Sequence, residues 1–103
     1  MKTRYRKKIY QGLSDQEIKM RIRKQGFNPV RIHNTPGYEY NPHQHPEMKL
    51  IAIVAGSMKV QSAGKTYECT PGDQIIIAGN ELHHAIVGKA GCTFFWSEKA
   101  IRL

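Results

Sequence analysis

Cysteine is scarce in this chain of 103 residues: only Cys69 and Cys92 are present, in no CxxC or other metal-ligand spacing. A dense disulfide framework is therefore excluded as the source of stability, and two small strand residues in a reducing compartment, or one pair, remain. Long apolar runs are also missing. The longest, Leu50 to Ala55, is far too short to span a bilayer. The opening MKTRYRKK is basic like the start of a signal peptide, but IYQGLSDQ follows it in place of an apolar core, so a soluble cytoplasmic protein without membrane contact is expected. Acidic side chains are few, eight against sixteen Lys and Arg. No Ser–His–Asp arrangement, phosphate-cradling glycine loop or carboxylate pair can be argued, which leaves the chemistry to other residues.

What is present suits one domain. A chain of this length buries well over half of its unfolded surface, so it folds without staples, but little sequence is left for a second activity. The net charge of +8 is uneven. Residues 1–24 carry nine Lys or Arg against Asp15 and Glu17, a net of +7, and the remainder is nearly neutral at +1. The basic character thus belongs to an N-terminal appendage, residues 1–26, and the body covers 27–103. Such an appendage can attract nucleic acid, anionic lipid or an acidic partner. Tyr5 and Tyr10 are the only aromatic residues among these charges, too few for a base-stacking platform, so a solvated surface is the favoured reading over nucleic acid.

Residues 1–11 show no sustained period and read as an arm, with a short strand around Ile9–Tyr10. Ser14 followed by Glu17 is a capping-box pattern, and Ile18 and Ile22 then share one face while Lys19, Arg21, Arg23 and Lys24 surround the other. Gly26 supplies the left-handed stop, so one short amphipathic helix is predicted over about 15–25. From Phe27 onward the pattern is of strands: NPVRIHN, GYEYNPHQ, KLIAIVAG, SMKVQSAG, KTYECT, DQIIIAG, HHAIVG and CTFFWSE. Breaks fall at Pro36-Gly37, Gly56, Ala63-Gly64, Pro71-Gly72-Asp73, Gly79-Asn80 and Gly88 to Gly91, with Ala63-Gly64 a tight hairpin. Eight short strands at about ten-residue spacing, with no crossover helix, predict an all-β sandwich or barrel.

Four of the five histidines form two clusters, His43/His45 and His83/His84. Strand side chains two apart share a face, so His43 and His45 are co-directed with Gln44 turned away. A third imidazole from a facing strand would complete a three-nitrogen set with open positions, which suits a first-row divalent ion. Only one of His83 and His84 can face that interior. A bare HxH on a strand is otherwise a polar surface patch. His33 stands alone on its strand and reads as a surface or hydrogen-bonded histidine.

The stretch Gly37 to Gly56 places five residues, then His43-Gln44-His45, then three residues, then Lys49, then six residues before Gly56. The stretch Gly72 to His83 places five residues, then Ala78-Gly79-Asn80, then two residues before His83. In order and in internal counts these resemble the two motifs of the cupin superfamily. The resemblance implies a double-stranded β-helix, an antiparallel barrel of jelly-roll type, with His43, His45 and His83 as metal ligands inside it and a homodimer as the assembly. Ala78 stands where that pattern has proline and Asn80 where it has glycine, and Asn tolerates left-handed geometry. The larger departure is Lys49 at the glutamate position. A protonated lysine at roughly 4 Å from a divalent ion repels it by several kcal/mol even at an effective dielectric of about 20.

Three outcomes stay open. Either Lys49 swings its ammonium to the barrel mouth; or Glu47 serves as a fourth ligand or as partner to Lys49; or the pocket binds no tight metal and Lys49 holds an anionic or sugar-like ligand beside neutral imidazoles. The first two lead to a site for a divalent Zn, Fe, Mn, Ni or Cu ion and, by the resemblance, to dioxygenase- or isomerase-like chemistry on a small molecule, with Lys49 or Tyr40 as candidate acid or base. The third gives a non-catalytic binding module. Tyr38, Tyr40, Phe94, Phe95 and Trp96 line the pocket, fill the core or form a dimer contact. Met48 and Met58 fill the core, and Cys92 is a buried inert thiol or a ligand.

Overall fold

The computed structural model describes residues 2–99, and within them one helix and seven strands follow the alternation of apolar residues. In chain order these are β1 (Arg4–Arg6), α1 (Asp15–Lys24), β2 (Val30–Asn34), β3 (Glu39–His43), β4 (Met48–Ser62), β5 (Lys65–Cys69), β6 (Gln74–Ile77) and β7 (His83–Lys99). The predicted end of the body, residues 100–103, lies outside the described residues.

β4 and β7 carry the architecture. They pair antiparallel from Met48↔Lys99 to Ser62↔His83. The first half of β4 also pairs with β6, and its second half with β5. The first half of β7 pairs with β3, and its second half with β2. Two long strands therefore pass through both layers and close them over a common interior, with β1 added on the outer edge of β6.

This differs from the eight separate strands read from the sequence. Gly56 and the stretch Gly88 to Gly91 bend the chain without ending it, and the β4/β7 register shifts on both sides of Gly56. Gly56 has φ +76°, and a Cβ there would lie 2.0 Å from the carbonyl oxygen of Gly91, so only glycine permits the two bends to cross. The hairpin at Ala63-Gly64 forms as expected, with positive φ at both residues, the primed turn that matches strand twist.

Alternation along the bent strands divides the apolar residues into two cores. Ile51, Ile53, Met58, Val60 and Phe94 face the barrel interior. Leu50, Ala52, Ile76 and Phe95 face outward, where α1 covers them with Ile18 and Ile22. Ser14 and Glu17 form the capping box, and the C-terminus closes with Gly26 N–H on the Arg23 carbonyl and Phe27 N–H on that of Ile22. Burying each of the two isoleucines contributes about 1.5–3 kcal/mol, which is what fixes so short a helix to the sheet.

The N-terminal segment is built into the barrel rather than lying free as an arm. Its strand is at Arg4–Arg6, and not at Ile9–Tyr10, because Tyr5 packs inward while Arg4 and Arg6 stay exposed on the edge. Tyr10 instead turns into the helix–sheet layer, where its hydroxyl donates to the Gln74 side chain and Gln25 and Gln74 exchange amide hydrogen bonds of 3.0 and 3.1 Å. Among the described residues no helix is long and apolar enough to cross a membrane.

Candidate metal centre and cavity

His43 closes β3, His45 lies just beyond it in the connection to β4, and His83 opens β7 directly across from His43 in the β3/β7 pairing. The strand therefore ends between the two residues of the HxH pair, but the connection still turns both rings inward. Ring centroids are 4.3 Å apart for His43 and His83, 4.8 Å for His45 and His83, and 5.3 Å for His43 and His45. One ligand nitrogen from each of the three lies within 4.8 Å of the others.

The backbone sets which nitrogen faces the centre. The Nδ1 atoms of His43, His45 and His83 sit 2.6, 3.1 and 2.9 Å from the carbonyl oxygens of Asn41, Glu47 and Glu81. A carbonyl only accepts, so each Nδ1 carries a proton, and in the neutral ring Nε2 is then the nitrogen with the lone pair. Fixing a tautomer through the outer nitrogen is how ligating histidines are oriented. Among the described residues the Nε2 of His45 is buried with no hydrogen-bond partner to offset its desolvation. His83, 5% exposed, has its pKa lowered, first by burial and then by the neighbouring His43, His45 and Lys49, against the opposing effect of its bond to Glu81. It stays neutral at neutral pH. An unpartnered buried ring nitrogen within a convergent set of three imidazoles fits a divalent transition ion.

The rings open on a cavity of about 320 Å³ whose other walls include Ile32, Ile51, Met58, Ile77, Phe94 and Trp96. Of the aromatic residues singled out in the sequence, Tyr40, Phe94 and Trp96 line it; Phe95 lies on the opposite face under α1, and Tyr38 is exposed. Tyr40 donates its hydroxyl to Asn34 at 2.7 Å. Cys92 is a free thiol in the core, outside the cavity wall, and burial pushes its pKa up to about 12. His84 points away from the imidazole cluster and pairs with Glu39 at 2.6 Å. His33 bonds Thr93 at 2.9 Å on the surface.

Lys49 lines the cavity too. Its side chain, 13% exposed, lays the ammonium 4.6 Å from the Trp96 ring centroid and pairs with Glu98. Glu47 does not join the imidazole set, nor does it pair with the lysine; its contribution is the backbone carbonyl that holds His45. Glu98 went unmarked in the sequence, yet a signal was there, since Phe94, Trp96 and Glu98 alternate on one face of β7 and Glu98 is the cross-strand partner of Lys49. Asn80 has φ +62° and donates its N–H to the His45 carbonyl, so the left-handed turn survives the loss of glycine.

Against known families, the profile of the AraC-like ligand binding domain matches residues 27–98. Among solved structures, KdgF from a Halomonas species is 21% identical with a TM-score of 0.66, over 74% of this chain and 70% of that one. An RmlC-like cupin from Shewanella frigidimarina is 22% identical with a TM-score of 0.65, over 74% and 68%. YcfD, a ribosomal oxygenase from Escherichia coli, is 16% identical with a TM-score of 0.63, but the match covers only 23% of its chain. These likenesses establish the cupin barrel. No curated protein matches the chain.

Proposed function

Because the chain belongs to the family of AraC-like ligand-binding domains, we propose that its barrel binds a small molecule beside a divalent transition-metal ion held by His43, His45 and His83. The observation that carries this reading is the shared orientation of three imidazoles, each pinned through Nδ1 to a backbone carbonyl, with the Nε2 of His45 buried and unpartnered among the described residues. An ion there would supply Lewis-acid or redox chemistry and leave positions for the ligand. The chain's own residues bind and enclose: the apolar wall excludes water, and the cavity is at the small end of the range of roughly 300–1,000 Å³ for ligand pockets.

The two candidate acid–base groups are both engaged, Tyr40 with Asn34 and Lys49 with Glu98. Elemental analysis of the purified chain tests the reading: one ion per chain is expected, and none in His43→Ala or His83→Ala. Protein that takes up no tight metal even after reconstitution would overturn it and leave a metal-free binding module.

A further inference from the structure

We infer that the cavity takes a small organic anion, a monocarboxylate with an apolar body, and that Lys49 is the residue that recognises its charge. The inference rests on the proposed reading of this cavity as a small-molecule site, and it names the class of ligand. Among the described residues Lys49 is the one lysine that lines the cavity, and no carboxylate lines it with Lys49. An ammonium in such surroundings needs a counter-charge, because desolvating an isolated cation is costly. In this state Glu98 supplies it from the rim, where its side chain is 46% exposed. Glu98, half in solvent already, can return to water at little cost to itself. The lysine cannot do the same, because the Trp96 ring and the barrel wall hold it inside.

The pair is therefore a lysine with an exchangeable anion. A ligand carboxylate entering the cavity would take the place of Glu98 on Nζ, while its apolar body lies against Ile51, Ile77, Met58 and Phe94. An ion on the three histidines would add positive charge to the same space and favour an anion further. A neutral ligand would leave the Lys49–Glu98 pair in place and gain nothing from it.

Trp96, the single tryptophan of the chain, reports on this exchange because Lys49 sits over its ring. The experiment is a fluorescence titration of the full chain, as purified and after chelator treatment, with phenylacetate and hexanoate against phenylacetamide and hexanamide. Each carboxylate should bind several-fold more tightly than its amide in both preparations, the difference between a charge-assisted hydrogen bond inside the cavity and the half-solvated one to Glu98 that it replaces. Lys49→Met should abolish the preference, Lys49→Arg retain it, and Glu98→Gln tighten carboxylate binding several-fold. Equal affinity for acid and amide, or a preference that survives Lys49→Met, overturns the inference while leaving the metal reading untouched. If none of the four compounds binds, the small-molecule reading fails and the inference with it. Loss of metal in the His43→Ala chain alongside an intact carboxylate preference would separate the two in the other direction.

Discussion

Asn80 donates its backbone N–H to the carbonyl of His45 at 2.7 Å, which ties the turn leading into His83 to the turn leaving the first histidine pair. The two halves of the imidazole cluster are thus held together by a main-chain bond between connections that are 35 positions apart in sequence. Asn80 can do this only in its left-handed conformation. Asn80→Gly should therefore be tolerated. Asn80→Val should cost about 1–2 kcal/mol, the penalty for a β-branched residue in that region, and weaken zinc binding along with it. Thermal unfolding and a zinc titration of the two variants check both parts.

Gly56 should tolerate no side chain. Its φ is positive, and the space a Cβ needs is filled by the Gly91 backbone of β7, which cannot move without undoing the bend of both long strands. Gly56→Ala is expected to destabilise by about 3 kcal/mol or more, or to prevent folding, whereas Gly64→Ala, with open space around the hairpin, should cost only its left-handed strain. Chemical denaturation of the two variants measures the difference.

Stability should fall in acid through Asp73. Its buried carboxylate accepts from the Tyr5 hydroxyl at 2.5 Å and from the N–H groups of Lys8 and Thr70, each at 2.9 Å. Burial works to raise its pKa, but the hydrogen bonds from Tyr5, Thr70 and Lys8 outweigh it and the net shift is downward. A folded-state pKa below the unfolded one gives stability that is present in full above the unfolded value and is lost as pH falls through the folded one. The acid limb of the stability curve should thus flatten in Asp73→Asn. At neutral pH that variant should be about 2–3 kcal/mol less stable, because an amide cannot satisfy the same donors. Urea unfolding from pH 7 down to pH 3 gives both quantities.

The barrel was legible in the turn glycines and short strands, and the clustering of His43, His45 and His83 in the resemblance of two stretches to the cupin motifs; His43 and His83 do face each other across one strand pair. The joining of strands at Gly56 was not legible, since a glycine that bends a strand and one that ends it look alike in sequence; the difference is the crossing with Gly91, far along the chain. The edge strand Arg4–Arg6 has a single inward residue, too little for a period, and its pairing is supplied by β6. For Lys49 the sequence gives the anomaly but not its resolution. Its counter-ion, Glu98, is 49 positions away and is brought opposite by register alone.

Zinc-edge X-ray absorption on the zinc-loaded chain tests the central claim most directly. Convergence of His43, His45 and His83 predicts a shell with three imidazole nitrogens at about 2.0–2.1 Å, and loss of that shell after His83→Ala. A shell of sulfur or of non-imidazole oxygen alone, or one unchanged by that substitution, would contradict it.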